Sequence, residues 1–106
     1  MATEYQLRTY HMKPDRMDDF LAIFPQVVEA RRAVGFGVVG AWMSPEENVF
    51  AWIVSTDQPG GIEEASKAYY QSDLRRAIEP EPAKLIDTIE TKIMESVPVA
   101  SPRRNQ

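Results

Sequence analysis

Cysteine is absent from the 106-residue chain and histidine occurs once, at His11. The first absence removes disulfides and thiolate metal ligands together. The second makes a transition-metal centre a poor fit, because such centres gather several nitrogen or sulfur donors. We expect neither a metal nor a cofactor. Long apolar runs are missing too: nothing approaches the roughly 20 consecutive residues of a membrane-spanning helix, so no membrane partner is expected. Met1-Ala2-Thr3-Glu4 has neither the basic nor the apolar region of an export signal, which makes a cytoplasmic address the default expectation. A continuous basic surface is also lacking. The net charge is −4 and the pairs Arg31-Arg32, Arg75-Arg76 and Arg103-Arg104 stand isolated, which argues against phosphate tracking and so against nucleic acid as a partner. No GxSxG elbow, HExxH pair or Walker loop occurs, so hydrolase and nucleotide-driven chemistry have no motif to rest on.

What is present reads as one domain over residues 1–96 with a flexible tail at 97–106, and with 43% apolar residues it has material for a single core. Residues 5–12 alternate as a strand does, Tyr5, Leu7, Thr9 and His11 on one face and Gln6, Arg8, Tyr10 and Met12 on the other. Pro14 stops that strand. Asp15 and Asp18 open a helix whose apolar residues recur from Met17 to Val34, with Pro25 predicting a bend and Gly35 the end. Two apolar runs, Val38–Met43 and Val49–Ser55, flank the turn-prone Ser44-Pro45-Glu46-Glu47-Asn48 and should pair as a hairpin. Setting Met43 against Val49 groups Trp42, Phe50 and Trp52 on one face and Val39, Ala41, Ala51 and Ile53 on the other. A second helix turns Ile62, Ala65 and Tyr69 inward with Glu63 and Lys67 paired outward, and Ser72 caps a short turn that buries Leu74, Ala77 and Ile78. Residues 85–95 return to strand periodicity.

The order is βαββαβ, which folds as a ferredoxin-like four-stranded antiparallel sheet with helices on one face. The bare second face, carrying Trp42, Phe50 and Trp52 in this register, is too apolar to remain in water, so a homodimer is expected.

The opening Tyr5-Gln6-Leu7-Arg8-Thr9-Tyr10-His11-Met12-Lys13-Pro14 resembles the first strand of NIPSNAP-type proteins, a branch of the dimeric α+β barrel superfamily, and the resemblance extends over roughly residues 4–95. It implies a pocket in each protomer between sheet and helices. It also implies a protein that binds a small, largely apolar, aromatic or polyketide-like molecule, with cofactor-free oxygenase or isomerase chemistry as the enzymatic version. The alternative is a non-catalytic structural or protein-interaction module of the NIPSNAP type. By analogy His11 or Tyr69 would remove a substrate proton and Arg8 would steady the resulting anion. Candidate substrate contacts are Tyr5, Thr9, Tyr10, Ala41, Trp42, Ala51, Trp52 and Tyr70.

Each candidate has a plainer reading. His11 fits a half-exposed strand residue. Arg8 fits a cross-strand ion pair with Glu90, and the tyrosines fit ordinary core. Thr9, Ala41 and Ala51, expected on the helix-facing side, signal either close packing or a cavity. Gly35-Phe36-Gly37-Val38-Val39-Gly40 matches GxGxxG, but it follows a helix and feeds a strand, the reverse of a dinucleotide site.

Overall fold

The computed structural model describes residues 3–99, and of the expected tail, residues 100–106 lie outside the described residues. Strand β1 (Glu4–Met12), helix α1 (Met17–Ala33), strands β2 (Gly37–Ser44) and β3 (Val49–Thr56), helices α2 (Gly61–Gln71) and α3 (Asp73–Arg76), a 3-10 turn (Pro82–Leu85) and strand β4 (Ile86–Met94) follow in that order. The sheet is antiparallel with strand order β2-β3-β1-β4. This is the ferredoxin-like α+β fold, helices on one face.

The first helix begins later than the acidic signal suggests. Asp15 occupies a left-handed turn position (φ 63°) and Arg16 precedes the first helical residue, while Asp18 and Asp19 sit in the first turn, where carboxylates face the positive end of the helix dipole. The helix continues through Pro25, which lies on the exposed side and leaves the Leu21 carbonyl without its amide donor. Gly35, at φ 101°, lets the amides of Gly35 and Phe36 turn back onto the carbonyls of Arg32 and Arg31, closing α1 as a left-handed glycine cap does. The amino end of α2 is capped from a distance. Gly60 has no side chain to offer, and the Glu4 carboxylate of β1 accepts the Ile62 amide at 2.9 Å. Lys67 pairs with Glu64 at 3.2 Å instead of Glu63. Ser72 caps α3 through the Arg75 amide, but the residues turned inward there are Arg75 and Ile78, with Leu74 and Ala77 exposed.

The hairpin is one residue out of the expected register, with a large consequence. Ser44 belongs to the strand and pairs with Val49, so the turn is Pro45–Asn48, with Asn48 left-handed at φ 57° and its amide bonded to the Pro45 carbonyl. Met43 therefore faces Phe50, Ala41 faces Trp52 and Trp42 faces Ala51. A single-residue slip moves every side chain of one strand to the other face. Phe50, Trp52 and Val54 lie beneath the helices with Tyr10, whereas Trp42 and Ala51 lie on the uncovered face; the expected aromatic face is split between the two sides. Thr9 likewise lies on the uncovered face, because it alternates with the buried Arg8 and Tyr10, and of the three small residues expected under the helices only Ala41 is on that side.

The core forms where α1 crosses β1 and β3. Phe24 stands edge-on to Trp52 with ring centroids 4.9 Å apart, and Phe20 edge-on to Phe50 at 5.0 Å, an arrangement that aligns positive ring edges with negative ring faces. The helices pack chiefly on β1, β2 and β3, so Ile89 and Ile93 of β4, on the helix side by their pairing with Tyr10 and Gln6, remain exposed. No helix among the described residues is long and apolar enough to cross a membrane.

Candidate functional site

Between sheet and helices lies a cavity of about 60 Å³. Its floor is Arg8 and Tyr10 of β1 with Ile89 of β4; α1 contributes Phe20, Val27 and Arg31, α2 contributes Tyr69 and Tyr70, and Arg75 closes one end. Strand alternation puts Arg8 and Tyr10 on the same face two residues apart, and helical spacing brings Val27 and Arg31 onto one stripe. Tyr70 and Ile89 are both about half exposed and form its solvent-facing flanks.

Arg8 is buried and well bonded. Its Nε donates to the Tyr10 hydroxyl at 2.8 Å, Nη1 to Gln6 Oε1 at 2.9 Å and Nη2 to the Tyr70 hydroxyl at 3.4 Å. Trp52 Nε1 also donates to the Tyr10 oxygen, at 3.0 Å, so that oxygen accepts twice and keeps its own proton to give. Burial works against the Arg8 charge, but the neighbouring Tyr10 and Tyr70 hydroxyls more than compensate and hold its pKa above the usual value.

Arg31 differs. It is 1% exposed, and its Nε and Nη1 have no hydrogen-bond partner among the described residues. Its guanidinium is 4.0 Å from the ring centre of Tyr69 and 4.8 Å from that of Phe36, so aromatic faces supply its nearest contacts. Burial first, and then the positive charge of Arg8, lower its pKa. Tyr69 is shifted the other way: burial raises its phenol, and the charges of Arg31 and Arg75 only partly offset this. At neutral pH Tyr69 is a donor.

Arg75 is paired. Both its terminal nitrogens reach the Glu81 carboxylate, Nη1 at 3.1 Å to Oε2, and this two-pronged contact holds the Glu81 carboxyl below the usual glutamate range. A carboxylate depressed in the folded state contributes stability above its unfolded pKa of about 4.3, and that contribution is lost as pH falls through the lower folded value. Glu81→Gln should therefore be less stable than the parent near neutral pH, and the gap should narrow in urea titrations as the pH is lowered below about 4. An equal gap at both pH values would refute the pairing.

Of the residues singled out in the sequence, Arg8, Tyr10, Tyr69 and Tyr70 meet in the cavity and Trp52 lies beneath it through its bond to Tyr10. His11, Tyr5, Thr9, Trp42 and Ala51 lie on the opposite, uncovered face, and Ala41 is on the outer strand β2. His11 Nε2 is 3.5 Å from Glu90 Oε2. This replaces the expected Arg8–Glu90 pair: β4 sets Glu90 opposite Thr9 and Thr91 opposite Arg8, so Glu90 and Arg8 are on different faces. Sequence reasoning missed Arg31 and Arg75. An arginine pair at 31–32 on a helix reads as solvated surface, and only the stripe running Phe20, Val27, Arg31 hints that one member points inward.

The NIPSNAP family profile matches residues 5–101. Among solved structures, a NIPSNAP family protein of unknown function from Agrobacterium tumefaciens strain C58 superposes with a TM-score of 0.79 at 21% identity, covering 95% of this chain and 93% of the other. A second NIPSNAP family protein from the same organism gives 0.77 at 15% identity, covering 96% and 99%. An antibiotic biosynthesis monooxygenase gives 0.64 at 15% identity, covering 90% and 99%. These likenesses concern the fold. No curated protein matches.

Proposed function

The chain belongs to the NIPSNAP family, and from that premise we propose that it is a homodimeric small-molecule-binding protein whose ligand seats its head group in the helix–sheet cavity and rests an apolar body against the cavity's open flank. The observation that carries this reading is the convergence of Arg8, Arg31, Tyr10, Tyr69 and Tyr70 on one cavity flanked by exposed Tyr70 and Ile89. At about 60 Å³ the enclosed space is well below the roughly 300 Å³ of a pocket that swallows a whole ligand, so most of the molecule lies outside it. Ile93, exposed on the same side of β4 as Ile89, extends the apolar flank.

The cavity wall is rich in donors. Guanidinium groups and phenols stabilise negative charge, and none of the lining residues is a carboxylate or histidine able to remove a proton. This supports binding more directly than cofactor-free oxygenase or isomerase chemistry, which would need a substrate that ionises without help or a base from elsewhere. His11, on the other side of the sheet, does not reach the cavity.

Dimerisation rests on the uncovered sheet face. Trp42 and Val39 are each 57% exposed there, beside Tyr5, Leu7, Ala51 and Ile53. A second copy of the same face offers the complementary apolar surface, and sheet-on-sheet packing covers both at once.

Native mass spectrometry on protein purified from its own host tests both parts. The expected result is a dimer carrying one small molecule per subunit. Tyr69→Phe should reduce its occupancy and His11→Ala should leave it unchanged; loss of the ligand from His11→Ala alone would move the site to the other face.

A further inference from the structure

We infer that the cavity is an anion receptor and that its ligand enters through a carboxylate held by Arg31 and Arg8; the inference rests on the pocket reading above and specifies what that pocket takes. Three arginines, Arg8, Arg31 and Arg75, line the cavity, and no aspartate or glutamate does. The carboxylate of Glu81 next to it is already gripped by both terminal nitrogens of Arg75. Arg8 and Arg31 are left as two buried cations without an acidic partner among the described residues, in a protein whose net charge is −4. A buried charge is retained at high cost unless something pairs with it.

The unsatisfied valences are specific. A guanidinium grips a carboxylate through Nε with Nη2 or through Nη1 with Nη2, and each of these forks in Arg31 includes one of the two nitrogens that lack a partner. Aromatic faces shield the charge of Arg31, with ring centres 4.0 and 4.8 Å from its guanidinium carbon, but supply no carboxylate to pair with it. The free proton of Tyr10, fixed by the two donors its oxygen accepts, adds a further donor beside Arg8. A cavity of about 60 Å³ has room for about four waters, enough for a planar carboxylate head between aromatic walls. The ligand is therefore an apolar or aromatic monocarboxylate, charge inside and body on the Tyr70–Ile89 flank.

Calorimetric titration and thermal melting of the full chain with benzoate and with its neutral isostere benzamide test this. Benzoate should bind once per subunit and benzamide about tenfold or more weakly. Arg31→Met, which keeps the volume and removes the charge, should lose the preference and melt above the parent in ligand-free, low-salt buffer, because it deletes an unpaired buried cation. A residue needed only for packing would melt lower and leave the preference intact, and that result would overturn the role of Arg31. Should Arg31→Met fail to fold, Arg8→Gln decides: benzoate affinity should fall about tenfold with benzamide unchanged, and unaltered benzoate binding would overturn the proposal. Equal binding of both probes to the parent would overturn the anion assignment and leave the pocket standing. Failure of both to bind would remove the pocket reading as well.

Discussion

Trp52→Ala should cost about 3–5 kcal/mol, a large share of the roughly 5–15 kcal/mol that holds a domain of this size together. The side chain is fully buried, packs edge-on under Phe24 and donates its indole N–H to Tyr10. Truncation opens a cavity at the centre of the core and removes one of the two donors that orient the Tyr10 hydroxyl in the candidate site. Urea denaturation followed by circular dichroism should show the loss, and melting should drop by at least about 12 °C. The same truncation at Trp42 should change the stability of the folded subunit by no more than about 0.5 kcal/mol, because that ring is exposed on the uncovered face. These are the only two tryptophans. In Trp52→Phe protein Trp42 alone emits, and its emission should move to longer wavelength on dilution as the proposed dimer separates. Equal costs at the two positions in the dissociated subunit would show that the hairpin register is wrong.

Ala51→Glu should convert the proposed dimer to a monomer without unfolding the subunit. Ala51 pairs with Thr9 and Trp42 near the middle of the uncovered face, where a glutamate is easily solvated in the monomer. Sheet-on-sheet packing would bury that carboxylate without a partner, at a cost of several kcal/mol per subunit, and the two copies would oppose each other. Light scattering coupled to gel filtration should give the monomer mass for the variant and the dimer mass for the parent. A variant that stays dimeric would place the interface elsewhere, while the circular dichroism spectrum, expected to be unchanged, separates dissociation from misfolding.

Both outcomes depend on a detail that the amino-acid order conveys only approximately. Alternation over residues 5–12 and 85–95, helical spacing from Met17 to Val34 and at Ile62, Ala65 and Tyr69, and the turn-forming Ser44–Asn48 were sufficient to place the four strands and both long helices, because each is a local pattern. Hairpin register was not legible in the same way. Ser44 suits a turn or a strand end equally well, and the choice falls to whichever register packs Phe50 and Trp52 against α1. Of the site, Arg8, Tyr10, Tyr69 and Tyr70 were recognisable as polar or aromatic residues on strand and helix faces, but their meeting in one cavity was not.

The ferredoxin-like order and the family are thus written into short-range periodicity and turn chemistry, which act within a few residues and need no knowledge of distant partners. Which face of the sheet the helices cover, and the burial of Arg31 and Arg75 beside Arg8, arise only when α1, α2 and the Pro82–Leu85 turn are packed onto the strands. A helical arginine has the same local propensity whether it faces water or an aromatic cage. Its environment is set by side chains from Phe36, Tyr69 and Trp52, far from it in the chain or across a turn, and it is this three-dimensional placement that turns a surface-like residue into a buried cation on the helical wall of the cavity.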